Sequence, residues 1–152
     1  MAIFEENILL PIAREVLFDF LSRPANASLI SDASLGMKFV QAPEVVVTGS
    51  RIVIHMMAMG QLQKATHEIS VYDRPVRIVE VQVEGPMKSW RHEHLFEEVD
   101  GQTRMIDRIE YTKPGGIIGL LLTEARVTEM LEENFFQREQ NLRRMIEQGK
   151  LT

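Results

Sequence analysis

The apolar residues of this chain change their periodicity near residue 113, and this change most constrains the fold. Between Met37 and Thr112, short alternating segments are separated by turn signals at 42–43, 48–49, 59–60, 73–75, 85–86 and 100–101. This spacing predicts about six strands with short connections, and therefore an antiparallel meander. After KPGG (113–116) the apolar period becomes about 3.6 residues, which predicts one helix of about 30 residues. Its apolar stripe consists of Ile117, Leu120, Val127, Leu131, Phe135, Leu142 and Met145.

The residues before the meander predict a strand and two short helices. Residues 3–10 alternate like a strand, Pro11 suits the first position of a helix, and Ile12, Val16 and Phe20 share one helical face. The helix should end near Pro24, and residues 25–36 are typical of a second short helix or a turn. The whole order predicts an α+β fold in which a curved sheet grips one long helix. In such a fold a curved antiparallel sheet of about seven strands wraps around the long C-terminal helix, which at about 40 Å can cross the sheet and leave a cavity beside it.

Composition excludes several classes of site and partner. The chain has no cysteine, so disulfides, thiolate metal sites and a cysteine nucleophile are excluded. A net charge of −5 without a basic cluster predicts no nucleic-acid partner. The apolar run at 115–122 is far shorter than the roughly 20 residues of a membrane span, and the N-terminus lacks the pattern of a signal peptide. We therefore expect a single cytoplasmic domain over residues 1–152, with no membrane span, as a monomer or homodimer.

Charge pairing sets the register of the hairpin around Asp100-Gly101. A type I′ turn there predicts three opposite-charge pairs on one face: Glu97 with Arg104, Glu93 with Arg108, and Arg91 with Glu110. The opposite face then pairs Phe96 with Met105, His94 with Asp107, His92 with Ile109, and Trp90 with Tyr111. Because this second face carries the aromatic and aliphatic bulk, it should be the inner one.

Two other strand pairs are placed in the same way. A hairpin at Met59-Gly60 pairs Arg51 with Glu68 and His55 with Lys64 outside, and it turns Ile52, Ile54, Ala65 and His67 inward. Residues 76–84 allow two arrangements. Alternation favours Val79, Val81 and Val83 on the inner face, whereas a shift of one residue would turn Glu80 and Gln82 inward.

One segment carries a motif that points to a known family. VEVQVEGPMKSWRHEHLF (79–96), followed by MIDRIEY (105–111) and a Pro-Gly loop before the long helix, resembles the START-like SRPBCC ligand-binding proteins. It is similar to a bacterial, polyketide cyclase-like subgroup with the motif Q-x-x-G-P-x-x-x-W-x-H-x-H-x-F and then D-x-x-x-Y. The resemblance covers essentially the whole chain and implies a helix-grip fold with Gln82 facing inward. The residues that match the motif are Gln82, Gly85, Pro86, Trp90, His92, His94, Phe96, Asp107 and Tyr111.

The His-x-His pair permits three interpretations. Both rings lie on one face of a strand, with Cα atoms about 6.6 Å apart, and Asp107 lies across from His94. Two imidazoles and a carboxylate can bind zinc or iron. A buried histidine also needs a hydrogen-bond partner, which Asp107 supplies, and this second interpretation is favoured, so no metal or other cofactor is expected. The third is general acid/base catalysis by His94 and Asp107.

Two residues outside the histidine segment complete the expected ligand site. Arg138 lies within the apolar stripe of the long helix, so its guanidinium either reaches the rim or anchors a ligand in the cavity. Tyr111 is expected to form an aromatic wall with a free hydroxyl. The candidate ligand-binding residues are Gln82, His67, Trp90, His92, His94, Phe96, Asp107, Tyr111 and Arg138.

The favoured function is the binding of a small, mostly hydrophobic molecule between the sheet and the C-terminal helix. One alternative is a cyclase- or hydratase-type enzyme that uses the His94-Asp107 pair as general acid/base. A second alternative is a helper protein that presents a lipid or quinone to a partner. In that case the apolar segment 117–122 would be the docking surface; the same segment could also cover the cavity entrance as a lid.

Overall fold

The computed structural model describes residues 1–58 and 60–151, which form seven strands and four α-helices. The strands are β1 (Ala2–Leu10), β2 (Lys38–Gln41), β3 (Arg51–Ala58), β4 (Gln61–Asp73), β5 (Arg77–Glu84), β6 (Ser89–Val99) and β7 (Gln102–Thr112). The helices are α1 (Arg14–Leu21), α2 (Pro24–Ile30), α3 (Gly116–Leu121) and α4 (Glu124–Glu147). All strand pairs are antiparallel, in the order β1-β7-β6-β5-β4-β3-β2. The predicted helix-grip α+β fold is confirmed.

The predicted long helix is divided into α3 and α4. Leu122 leaves the helical conformation at φ −91° and ψ 83°, and α4 then runs for 24 residues. Thr123 begins α4 as its N-cap, since its hydroxyl accepts a hydrogen bond from the backbone N–H of Arg126. Glu124 places a negative charge in the first turn, where the helix dipole favours it. The prediction of one continuous helix was wrong. The apolar stripe continues across the break, so its periodicity does not reveal where α3 ends and α4 begins.

The register of the β6–β7 hairpin is as predicted. Asp100 and Gly101 have φ values of 50° and 77°, which fits a type I′ turn, and all seven predicted pairs are formed. The outer ion pairs form mainly along the strands rather than across them. Arg91 Nη1 lies 2.9 Å from Glu93 Oε2, and Arg108 Nε lies 3.1 Å from Glu110 Oε1.

The register of the β3–β4 hairpin is also as predicted, with Arg51 opposite Glu68 and Ile52 opposite His67. Met59 of the predicted turn lies outside the described residues. Strand β5, however, turns Ile78, Glu80 and Gln82 toward the helix, as the family resemblance implied and the alternation of valines did not. Its register fixes this orientation, because Ile78 pairs with His94 and Glu80 with His92. Val79 is also buried, so apolar alternation could not distinguish the two faces.

Two apolar clusters fill the space between the sheet and the helices. One surrounds Phe18, Phe96 and Leu142 below α1 and α2, and the other surrounds Tyr111 and Phe135 at the opposite end of the sheet. Arg138 lies on α4 between Phe135 and Leu142, and is itself buried. The fold therefore places a guanidinium between the two clusters, facing the middle of the sheet. In the described part of the chain, no helix is long and apolar enough to cross a membrane.

Candidate functional site

A cavity of about 550 Å³ lies between the inner face of the sheet and α4. Its walls are largely aliphatic and aromatic, with contributions from Ile52 and Ile54 on β3 and from Leu131 and Phe135 on α4. Five of its polar side chains are gathered on the central strands and the facing turn of the helix: His67, Glu80, His92, His94 and Arg138. Other polar residues also contribute to the lining, among them Gln63, Gln82, Glu133 and Asn134. The cavity therefore combines an apolar volume with a buried cluster of ionisable side chains.

Asp107 lies at the centre of the polar region, almost completely buried on β7. Its Oδ1 atom lies 2.8 Å from His92 Nε2 and 2.6 Å from His94 Nδ1. Its Oδ2 atom lies 3.1 Å from Arg138 Nη2. The predicted contact between His94 and Asp107 is present, but the carboxylate contacts both histidines and the arginine. Arg138 thus points inward rather than reaching the rim, and it also lies 4.9 Å above the Phe135 ring.

Glu80 extends the same cluster across the sheet. Its Oε1 atom lies 3.4 Å from His67 Nδ1 and 3.5 Å from His92 Nδ1. His92 therefore lies between two carboxylates, with one ring nitrogen toward each. These contacts form one continuous polar network that crosses four strands and reaches α4. Its members, in order, are His67 on β4, Glu80 on β5, His92 on β6, Asp107 on β7 and Arg138 on α4.

This arrangement separates the pKa values of the groups. Burial alone would raise the pKa of Asp107, but Arg138 and the two histidines hold it well below its usual range. Burial likewise opposes ionisation of Glu80, but His67 and His92 hold its pKa well below the ordinary value. Burial would lower the pKa of His92, yet the two carboxylates raise it overall. The pKa of His94 is lowered, first by burial and then by the charge of His92, so His94 loses its proton before His92 does.

Gln82 faces the cavity, but its amide group is used to fix a turn. Its Nε2 donates to the carbonyl of Met87 at 2.7 Å, and its Oε1 accepts from the Met87 backbone N–H at 3.4 Å. A Cβ on Gly85 would overlap the Gln82 amide, so this position accepts only glycine without rearrangement. The Q-x-x-G-P motif therefore has a structural explanation: glutamine fastens the loop between β5 and β6. Because both polar atoms of the Gln82 amide contact Met87, Gln82 is a weaker candidate for a ligand contact.

Trp90 contributes the cavity wall and an unused donor. Its ring lies 6.0 Å from that of Tyr111, and its buried Nε1 atom has no hydrogen-bond partner among the described residues. A buried donor of this kind favours a ligand that carries an acceptor nearby.

Three of the expected ligand contacts do not line the cavity. Phe96 packs against Phe18, with ring centroids 5.1 Å apart, in the cluster below α1. Asp107 lies behind the histidines, and Tyr111 is buried with its hydroxyl 3.5 Å from the carbonyl oxygen of Glu124. Tyr111 therefore does not offer the free hydroxyl that was expected, because this hydroxyl connects β7 to the start of α4. These residues support the cavity rather than line it.

Helix α3 lies beside the cavity. Part of its apolar surface contributes to the cavity wall, and the rest is exposed to solvent. Ile118 contributes to the lining, whereas Ile117 and Leu120 are each 78% exposed. Lys113 Nζ donates to the carbonyl of Gly119 at 2.7 Å, which ties α3 to the end of β7. A Cβ on Gly119 would overlap the carbonyl group of Pro114, so the close approach depends on glycine.

The cavity thus brings together six of the candidate ligand-binding residues: His67, Gln82, Trp90, His92, His94 and Arg138. Glu80 is not among the candidate site residues, because apolar alternation favours the valines of β5 on the inner face. The available signal is the family motif, since the arrangement that turns Gln82 inward also turns Glu80 inward.

No protein-family model and no curated protein sequence matches this chain. Solved structures do match it. Thermus thermophilus TTHA0849 is 16% identical with a TM-score of 0.76, covering 97% of this chain and 99% of that one. Major latex-like protein 151 from Panax ginseng is 14% identical with a TM-score of 0.68, covering 93% and 95%. The Streptomyces aromatase/cyclase Zhui is 14% identical with a TM-score of 0.69, covering 94% and 89%. The chain therefore shares their fold over nearly its whole length.

Proposed function

We propose that this chain is a single ligand-binding domain, residues 1–152, that holds a small, mostly apolar molecule between the sheet and α4. The observation that carries the proposal is the 550 Å³ cavity, whose apolar walls surround one buried polar region. Pockets for small molecules commonly have this volume and this division between apolar walls and a few polar groups. Burial of apolar surface would supply most of the binding free energy, at about 25 cal/mol per Å².

The polar end of the ligand is assigned to the region around His94, Glu80 and Trp90. His94 and Glu80 line the cavity, and the Nε1 donor of Trp90 has no partner in the part of the chain that is described. Arg138 is held by Asp107, so it supports the site electrostatically more than it anchors a free anion. A ligand with a carbonyl or hydroxyl group at one end of an apolar body fits this distribution.

Native mass spectrometry of the protein purified from cell extract tests the proposal. We expect a retained small molecule at one per chain, which can then be extracted and identified. Trp90→Ala should lose it, while Phe136→Ala, which truncates an exposed aromatic residue on α4, should keep it. An empty wild-type protein, or equal retention by both variants, would contradict the proposal.

A second candidate function is catalysis of the cyclase or hydratase type, and one observation favours it. His94 lines the cavity, contacts Asp107 and has a lowered pKa, which are properties of a general base. His94→Gln should then retain the co-purified molecule but abolish turnover of enolisable carbonyl compounds. Unchanged turnover in His94→Gln would remove His94 from the mechanism.

A further inference from the structure

Two imidazoles and a carboxylate converge at the polar region of the cavity. Glu80, His92 and His94 each place one potential ligand atom within 4.8 Å of the others. From this convergence we propose that the three residues bind a divalent transition-metal ion, of which Zn²⁺ is the representative. The proposal departs from the expectation of no metal, which considered Asp107 as the carboxylate ligand. It rests on the proposed function only in placing the open coordination position toward the cavity.

The spacing of Glu80 and His92 suits ligands of one ion. Their facing atoms, Oε1 and Nδ1, are 3.5 Å apart. Ligand atoms that bind Zn²⁺ at about 2.0–2.2 Å in a tetrahedral arrangement are separated by about 3.3–3.6 Å. Among the described residues, the geometric hydrogen bond of His92 is made to Asp107 and not to Glu80. No hydrogen bond joins Glu80 Oε1 to His92 Nδ1, both in the described part of the chain, and their separation suits two ligand atoms of one metal ion.

Asp107 supplies the outer support that metal-binding histidines usually have. Its Oδ1 atom contacts His92 Nε2 at 2.8 Å and His94 Nδ1 at 2.6 Å. Histidine ligands commonly donate their second N–H to a carboxylate, which orients the ring and selects the nitrogen that is left for the metal. Asp107 makes this hydrogen bond with His92, and its close contact with Nδ1 positions the ring of His94. Asp107 is thus a positioning residue for the site and not a ligand.

The charges of the site also fit a cation. Arg138 lies 3.1 Å from Asp107, so the supporting carboxylate is already compensated, and Glu80 provides the negative charge of the ligand set. Two nitrogens and one oxygen favour zinc or iron over calcium or magnesium, which prefer oxygen ligands. Three protein ligands leave a fourth position for the carbonyl or hydroxyl oxygen of a cavity ligand, as in catalytic zinc sites.

Isothermal titration of the chelator-treated full chain with Zn²⁺, without any organic ligand, tests the site. We expect one ion per chain, a loss of at least tenfold in affinity in Glu80→Gln, and a loss of about 10–100-fold in Asp107→Asn. Glu84→Gln on the same strand and His55→Gln on β3 are the matched controls, because neither residue lines the cavity, and they should bind like wild type.

Co²⁺ substitution of the wild-type chain gives a second measurement that needs no variant to fold. A tetrahedral nitrogen/oxygen site should show intense visible absorption, which Zn²⁺ displaces. No binding of Zn²⁺ or Co²⁺ by the folded wild type, or equal affinities in Glu80→Gln and Glu84→Gln, would overturn the proposal and leave a proton on His92 between the carboxylates. Because no organic ligand is present, this failure is distinguishable from an empty cavity in native mass spectrometry.

Discussion

Arg138 shows how one residue can serve both stability and the site. Its guanidinium contacts the Asp107 carboxylate, and the two side chains are only 10% and 1% exposed. Burying two charges is costly, and the pair remains because removing one partner costs still more. The sequence indicated the inward position of Arg138 as one of two alternatives. It could not decide between them, because a flexible side chain on a helical stripe can equally reach the rim.

Replacing Arg138 by methionine should therefore destabilise the protein strongly. We expect a loss of about 3 kcal/mol in the free energy of unfolding, because the buried Asp107 carboxylate loses its cationic partner. Guanidinium titration followed by circular dichroism measures this loss. Arg144→Met, at an exposed position on the same helix, should change stability by less than about 0.5 kcal/mol. Equal losses in the two variants would contradict the argument.

Gly85 provides a second test at a single residue. A methyl group there must displace the Gln82 amide, so Gly85→Ala should cost about 1–3 kcal/mol and loosen the loop before β6. Gly115→Ala is the matched control, since a Cβ at Gly115 meets nothing within 4 Å and its φ is −82°. Thermal unfolding of both variants compares them. Should Gly85→Ala melt like Gly115→Ala, the steric account of the Q-x-x-G-P motif would be incorrect.

At the scale of elements, the boundary between α3 and α4 depends on a local cap. The Thr123 hydroxyl satisfies a backbone N–H of α4 that has no partner inside the helix. The sequence contains this threonine, but the apolar residues on both sides keep the same helical phase, so periodicity alone does not reveal the break. The capping residue predicts a helix start at Thr123, whereas the continuous apolar stripe predicts an uninterrupted helix. The structure has the helix start.

Thr123→Ala should lower the stability of the protein by about 1 kcal/mol, because the N-cap hydrogen bond is lost. Thr128→Ala, inside α4, should be neutral or slightly stabilising, because alanine has the higher helix propensity. Urea unfolding of the two variants measures the difference. Equal effects would mean that Thr123 does not cap α4.

Strand β5 illustrates the other limit of prediction at this scale. Opposite charges fixed the registers of the β3–β4 and β6–β7 pairs from the sequence alone. The β5 strand offered no such pairs, and both Ile78 and Val79 are buried, so its two faces look equally apolar. Its orientation follows from its neighbours: Glu80 faces inward because it lies beside His92 on β6 and contacts His67 on β4.

For the whole molecule, the order of elements and the inner face of the β6–β7 hairpin were predictable, whereas the connections within the site were not. Alternation assigns a side chain to a face, and this placed His92, His94 and Asp107 together. It does not state which atoms meet. The separation of Phe96 and Tyr111 from the cavity depends on how α1 and the start of α4 pack, which is a tertiary effect.

Occupation of the cavity should stabilise the entire fold, because its walls come from the sheet and from α4 together. The molecule extracted from the wild-type protein, added back at about 100 times its dissociation constant, should stabilise the chain by about 2.7 kcal/mol. Differential scanning fluorimetry detects this as a rise in melting temperature. Trp90→Ala should show a smaller rise at the same concentration, and a rise equal to that of wild type would remove Trp90 from the binding site.

The chain of contacts from His67 to Arg138 alternates between basic and acidic groups as it crosses four strands and the helix. In the metal-free protein the pKa values of Glu80 and Asp107 are lowered and that of His92 is raised, so these groups and Arg138 favour a balance of opposite charges. A molecule that arrives with a full charge of its own must disturb this alternation at one point and be compensated at another. An uncharged guest, or one that exchanges a proton on entry, leaves the balance intact. Without a bound metal ion, we therefore expect the cavity to favour a ligand that is uncharged or that exchanges a proton on entry.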